Sequence, residues 1–348
     1  MSSAPRASPT DAGMLQLCDT DRSATVAAWA IPAALIIAVE YLAALAVGAS
    51  VGFRYSLPWD AYLIAALTIV ASIASITIVI RLGFYAYGRE ERPTRRLIRE
   101  APRFYGFAAG VILVGLQAAV LTWAKVMLPI AVPFWADPML ARLDHALFGE
   151  DPWIIAMRYL GWAAPFFDRV YVSWAPAKFG TLIVLLVLPE SRRKSRTLVA
   201  YFLLFAFIVF GQYAFSSVGP LFYAQFHFGD RFAHLPLEPW VRTAKDYLYQ
   251  DYLRVGGDPG GGISAWPSFH VAGALWTAQV WNSWDRRLGM FGFAWFIIIL
   301  IGSVLLGWHY AVDGIAGILL AVGAWAVAPR IIDRKIGVLA RTPIQASV

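Results

Sequence analysis

The chain has 348 residues, of which 59% are hydrophobic and only 15% charged, and its mean hydropathy of +0.60 is more than a water-soluble domain of this size can bury. A bilayer protein is the class that remains. The formal charge of +7 admits nucleic acid or anionic lipid as a partner, and the placement of the basic residues decides between the two.

Residues 1–22 are rich in Ser, Ala, Pro and Asp and lack the apolar centre of a signal peptide, so a disordered cytoplasmic tail is expected. Cys18 in that tail is the single cysteine, which excludes an intrachain disulfide and a cysteine metal cluster. Apolar runs then recur near residues 27–49, 61–87, 104–127, 168–188, 198–217, 268–284, 289–308 and 310–329. A helix needs roughly 20 such residues to cross about 30 Å of hydrocarbon. The expected fold is an all-α polytopic bundle of about eight transmembrane helices. Residues 23–127 form its N-terminal helices, residues 128–330 its core and residues 331–348 a basic cytoplasmic tail.

The basic residues fall between these runs. Arg81, Arg89, Arg92, Arg95, Arg96, Arg99 and Arg103 lie between the second and third, and the positive-inside rule places that loop in the cytoplasm. Alternation puts Arg192, Arg193, Lys194 and Arg196, then Arg286 and Arg287, then Arg330, Arg334, Lys335 and Arg341 on the same side. Both termini are thus expected in the cytoplasm, in the cell inner membrane, with segments 128–167 and 218–266 facing outward. Anionic headgroups of the inner leaflet account for the charge, so no nucleic-acid partner is expected. In the first outer segment Met139, Leu140, Leu143 and Leu147, then Trp153, Ile154, Met157 and Leu160, recur at helical spacing and predict two interfacial helices.

His270 follows Pro267 and Ser268 at the outer start of the sixth run, where both residue types favour the opening of a helix. His309 comes 39 residues later. In between, the chain crosses inward, turns at Asp285, Arg286 and Arg287, and returns, each leg spanning about 27 Å at 1.5 Å per residue. Both histidines therefore reach one face of the membrane. Asp313, four residues after His309, shares a helix face with it. This set suits covalent phosphoryl transfer, with His309 as nucleophile, Asp313 fixing its tautomer and His270 as acid and base. The helix opening at Ser268 offers free N–H groups and a hydroxyl to a phosphate.

The string Pro267-Ser268-Phe269-His270 and the pair His309 and Asp313 resemble the second and third motifs of the type 2 phosphatidic acid phosphatase superfamily. The wider strings from Ser264 to Val271 and from His309 to Gly317, with Asp137 to Leu140, Leu143-Asp144 and Phe148-Gly149, look most like its branch containing inositol phosphorylceramide synthases. The resemblance covers roughly residues 130–330. It implies a core of six helices, to which the first three runs are an addition or of which they are a partial rearrangement, and catalysis without a metal or other cofactor. It also implies a lipid phosphate or phospholipid substrate, with an alcohol such as inositol as a possible acceptor.

Two departures stand out. The first motif of the family, rich in cations, has no counterpart in Ser216 to Tyr223, and Gly302 and Ser303 stand where the third motif carries Ser-Arg. The expected phosphate-binding residues are therefore Ser268 with Arg254 and Lys245 of the outer loop, Arg231 and Arg242 being alternatives.

Other features carry less. The run Gly256 to Gly262 lacks the Lys-Ser/Thr ending of a phosphate loop and reads as a hinge. His227 and His234 lack the partners that would complete a metal site. Lys178 and Glu40 fall inside apolar runs, where charge is expensive; Lys178 either snorkels, pairs with a group such as Gln212 or lines the substrate path. Hydrolysis of phosphatidate, phosphatidylglycerol phosphate or undecaprenyl pyrophosphate is the alternative to transfer, and a lipid transporter or scaffold the alternative to an enzyme. Paired broken helices or inverted repeats, which would favour a transporter, are not visible.

Overall fold

The computed structural model describes residues 27–54, 59–88, 92–255, 258 and 260–341. Residues 1–22 with Cys18, Arg89, and residues 342–348 of the expected basic tail lie outside the described residues. Among the described residues there are helices and turns but no strand.

The N-terminal set comprises α1 (Ala30–Ser50), α2 (Trp59–Tyr87) and α3 (Pro93–Ala131). The two short helices expected next are α4 (Asp137–Phe148) and α5 (Pro152–Leu160). A 3-10 turn leads to α6 (Ala164–Tyr171), and a break at residues 172–173 separates it from α7 (Trp174–Val187). Then follow α8 (Arg192–Ala214), α9 (Pro239–Leu253), α10 (Phe269–Trp284), α11 (Arg286–Leu305) and α12 (Ala311–Arg341). The last helix runs on past residue 330, where the sequence reading ended the core.

Among the described residues seven stretches are long and apolar enough to cross a bilayer, against about eight expected from sequence. The difference is α10, whose 16 residues span about 24 Å at 1.5 Å per residue. It lies at the centre of the bundle, packed against α7, α8, α11 and α12, with residues 271–278 all buried. α2 is the opposite case. Only Ala66 and Tyr85 are buried along it, so its apolar surface is left to lipid.

Local signals set several helix starts. Ser191 accepts from the Lys194 N–H at 3.1 Å, Ser268 from the Val271 N–H at 3.3 Å, and Asp285 from the Arg287 and Leu288 N–H groups at 2.8 and 3.0 Å. At one end of the bundle Arg192 and Arg196 both meet Asp333, at 2.9 and 2.6 Å, and Arg193 donates to the Ser283 carbonyl at 2.8 Å. Three of the loops read as cytoplasmic therefore share an end.

At the other end, buried carboxylates take over from local caps. Asp144 accepts from the N–H groups of Ala311 at 2.7 Å and Val312 at 2.9 Å, capping α12 from another element. Asp168 does the same for α9 through Trp240 and Val241, at 3.1 and 3.2 Å. Asp137 accepts from Val218 and Gly219 N–H, at 2.9 and 2.8 Å, and from the Tyr310 hydroxyl at 3.0 Å. α4 thus buries Asp137, Leu140, Ala141 and Asp144 and leaves Leu143 and Leu147 exposed, the side open to lipid headgroups. Gly219, with φ of 86°, is held so tightly that a Cβ would lie 2.8 Å from the Trp308 carbonyl oxygen.

The N-terminal helices are tied to the rest by polar contacts. Gln117 of α3 donates to Glu40 of α1 at 3.1 Å and to the Phe202 carbonyl of α8 at 3.0 Å, and the Tyr213 hydroxyl donates to the Ala124 carbonyl at 2.7 Å. Glu40 is thus a buried interhelical acceptor.

Replacing Asp144 by Ala strands two helix N–H groups in a buried setting. A loss of about 2 kcal/mol is expected, read as a lower unfolding midpoint in detergent, with Asn costing less. An unchanged midpoint in the Ala variant would show that this carboxylate does not clasp α12.

Candidate active site

His270 sits in the first turn of α10, and His309 in the turn between α11 and α12, where its N–H donates to the Ser303 carbonyl at 3.1 Å. Asp313 reaches back to accept the Tyr310 N–H at 3.0 Å, as an N3 residue does in a capping box. Its carbonyl accepts the Ser268 N–H at 3.0 Å, joining the starts of α10 and α12. Gly317 permits that approach, since a Cβ there would lie 2.6 Å from the Ser268 carbonyl oxygen.

These ties bring the two imidazoles together, with His270 Nδ1 2.9 Å from His309 Nε2. Hydrogen positions follow from the acceptors. His309 Nδ1 lies 3.0 Å from the Ala265 carbonyl, which only accepts, so Nδ1 carries the proton and Nε2 a lone pair. His270 Nδ1 must then donate to that lone pair. The His309 Nε2 lone pair is thus taken up by the His270 Nδ1 proton.

Asp313 Oδ2 is 3.5 Å from His309 Nδ1, farther than the Ala265 carbonyl, and its Oδ1 is buried without a partner. From the sequence, Asp313 alone is expected to fix the tautomer. The closer acceptor is a backbone carbonyl, for which no side chain in the sequence is a signal. Burial lowers the His309 pKa to about 3, a shift that the Ala265 hydrogen bond opposes and the Lys125 charge reinforces. The Asp137 and Asp144 carboxyls are raised by burial to about 6, although the N–H groups they accept pull them down.

Aromatic rings wall His270. Trp174 meets it edge-on at 4.5 Å between ring centroids, Tyr171 lies at 5.3 Å, and Tyr171 and Trp308 stack at 6.3 Å. Beside His309 a cavity of about 10 Å³, lined by Asp144, Asp151, Trp153 and Tyr310 among others, has room for a water.

Of the residues expected to bind phosphate, Ser268 is at the site, fully buried as the cap of α10. Among the described residues the N–H groups of Phe269 and His270 make no hydrogen bond. The exposed Arg254 bonds to the Gln250 carbonyl and pairs with Asp258, both at 3.2 Å. Lys245 is half-buried on α9, its pKa lowered by burial and raised in part by Asp246. Arg231 pairs with Asp151, which also bonds His145. The cations that bear on His270 are Lys125 of α3 and Lys178 of α7; the sequence reading did not single out Lys125. Among the described residues no three His, Cys, Asp or Glu side chains gather as a metal site requires.

Fold and site define a polytopic helical membrane protein with a buried histidine pair at one end of the bundle. A family model for the PAP2 superfamily matches residues 138–327, more than half of the 348, and the chain belongs to that superfamily. Membership supports lipid phosphatase or phosphotransferase chemistry in general and a lipid phosphate as substrate. No curated protein and no solved structure matches the chain.

An imidazole held near pH 3 stays neutral in the fold while the unfolded chain protonates near 6.5. The stability it contributes is therefore lost as pH falls from about 6.5 toward 3. In nitrogen-15 histidine spectra at pH 5, His309 is expected as the neutral Nδ1–H form. A protonated His309 at that pH would contradict the site as described.

Proposed function

We propose that the protein moves a phosphoryl group, bare or bearing a headgroup, from a lipid through a covalent phosphohistidine on His309. The observation that carries this reading is the 2.9 Å contact between His270 Nδ1 and His309 Nε2, with the tautomer set by Ala265. A substrate phosphorus placed between the rings replaces the contact. With the anionic phosphate bound, His270 carries a second proton on Nε2 as the imidazolium; His309 Nε2 gives its lone pair to phosphorus, the bond to the leaving oxygen breaks, and His270 Nδ1 delivers its proton to that oxygen, leaving His270 a neutral ring protonated on Nε2. The positive charge then formed on His309 faces the Ala265 carbonyl and Asp313. In the second half His270 Nδ1 takes a proton from the attacking hydroxyl, the new P–O bond forms, and the P–N bond breaks. Ser268 and the free N–H groups at the start of α10 hold phosphate oxygens.

The acceptor we infer is an alcohol such as inositol, supported by the likeness of residues 264–271 and 309–317 to inositol phosphorylceramide synthases. Water as acceptor would make the protein a lipid phosphatase. The site is assigned to the extracytoplasmic face and both termini to the cytoplasm, since the basic loops gather at the end away from His270.

The test is purified protein in detergent offered phosphatidate, phosphatidylglycerol phosphate, undecaprenyl pyrophosphate, and inositol phospholipid with ceramide. Inorganic phosphate reports hydrolysis and a new phospholipid reports transfer. His309→Ala is expected to remove turnover by at least ~10³-fold and to abolish acid-labile phosphate labelling of the protein. Asp313→Asn is expected to keep more activity than His309→Ala, because Ala265 still fixes the tautomer. A folded His309→Ala variant with wild-type rates would sink the reading.

A further inference from the structure

Phosphoryl transfer spreads negative charge over the oxygens of the group in transit, and protein donors and cations aimed at those oxygens stabilise it. Two of the outer-loop cations are engaged elsewhere, Arg254 by Asp258 and Arg231 by Asp151. Two lysines stand elsewhere. We propose that Lys125 and Lys178, reaching the histidine pair from α3 and α7, are the cations that bind and neutralise the phosphoryl oxygens during transfer. The inference rests on the phosphoryl-transfer reading above and names the clamp for it.

Lys178 is only 2% exposed. Its ammonium lies 4.5 Å from the ring centroid of Trp174, 4.3 Å from Phe179, 5.1 Å from Phe205 and 4.5 Å from Phe269. Two of those rings, Trp174 and Phe269, also touch His270. Among the described residues no carboxylate pairs with Lys178 and no acceptor takes a hydrogen bond from it. Ring faces offset only part of what it costs to hold an ammonium away from water. A buried cation that lacks an anion fits a site whose anion arrives with the substrate. Tyr171 repeats the pattern, its hydroxyl buried without a partner and its ring 5.3 Å from His270.

Lys125 lies on α3 beside the segment that leads to the histidines. It lines a cavity of about 280 Å³ between α3 and α9, together with Asp251, Tyr252, Gly262 and Ile263. A Cβ at Gly262 would lie 2.7 Å from Lys125 Cβ, so the lysine abuts the segment that runs on to the Ala265 carbonyl. Its charge bears on both His270 and His309. Asp251 balances it in part, while itself accepting the Gly262 N–H at 2.9 Å and the Asp258 N–H at 3.2 Å. Lys125 lies outside the matched span of residues 138–327, so the N-terminal helices would complete the site.

The test uses the full chain in detergent as wild type, Lys178→Met, Lys125→Met and Lys125→Arg, with orthovanadate as the probe. Each Met variant is expected to bind vanadate at least tenfold more weakly and to turn over lipid phosphate about 10²-fold more slowly, with Lys125→Arg recovering much of both. Lys178→Met should unfold at or above the wild-type temperature, because it removes an unpaired buried charge without changing side-chain length much. A purely structural lysine predicts the reverse, a lower midpoint with vanadate affinity intact. That outcome, or Met variants with wild-type affinity and rate, overturns the assignment. Wild-type protein that turns over lipid phosphate while the lysine variants match it refutes the clamp alone. Wild-type protein that neither binds vanadate nor turns over any lipid phosphate refutes the phosphoryl-transfer reading and the clamp with it.

Discussion

A peptide N–H at the end of a membrane bundle has neither bulk water nor a preceding helical turn to bond, and each one left bare costs about 1–3 kcal/mol. Here Asp137 and Asp144 supply the acceptors. The first holds the Val218 and Gly219 N–H groups and the Tyr310 hydroxyl; the second holds the first two N–H groups of α12. His309 lies immediately before the residues they grip. Its backbone is therefore fixed from α4 on one side and, through Asp313 and Ser268, from α10 on the other. The separation between the imidazoles follows from those anchors rather than from the attraction of the two rings.

The same burial governs the chemistry. A low-dielectric wall of Tyr171, Trp174, Phe269 and Trp308 keeps water from competing for the His270 proton and strengthens every charge interaction inside. Two neutral imidazoles satisfy one another there without a counter-ion. On the phosphoryl-transfer proposal, a phosphate entering between them would exchange a neutral hydrogen bond for charge-assisted ones, which are stronger.

Most of the architecture was legible because apolar runs and basic loops obey the bilayer directly. The convergence of His270 and His309 was legible too, since two legs of helix with a turn at Asp285 return the chain to its starting face. What escaped was carried by partners distant in sequence. On α4 the periodicity of Leu140, Leu143 and Leu147 marks an apolar stripe, yet tertiary hydrogen bonds turn Asp137 and Asp144 inward and leave Leu143 and Leu147 exposed. The Ala265 carbonyl has no side chain to betray it. Arg254 looked free for phosphate, although Asp258 four residues on is a local partner that spacing alone predicts. α10 was read as an ordinary span from its hydropathy, and its enclosure on four sides depends on packing that hydropathy does not record.

The N-terminal helices bear on the site through packing as well as charge. α3 is held to α8 by the Tyr213 hydroxyl at Ala124, one residue from Lys125, and to α1 and α8 by Gln117. Hydrogen bonds of this kind resist sliding in lipid, where helices gain little by hydrophobic association. Because α8 also packs against α10 and α12, any shift of α3 along α8 moves the cavity at Lys125 relative to both histidines. A buried carboxyl at Glu40, far from the chemistry, is then understandable. It fixes the register of α1 against α3, and α3 forms one wall of the cavity at Lys125.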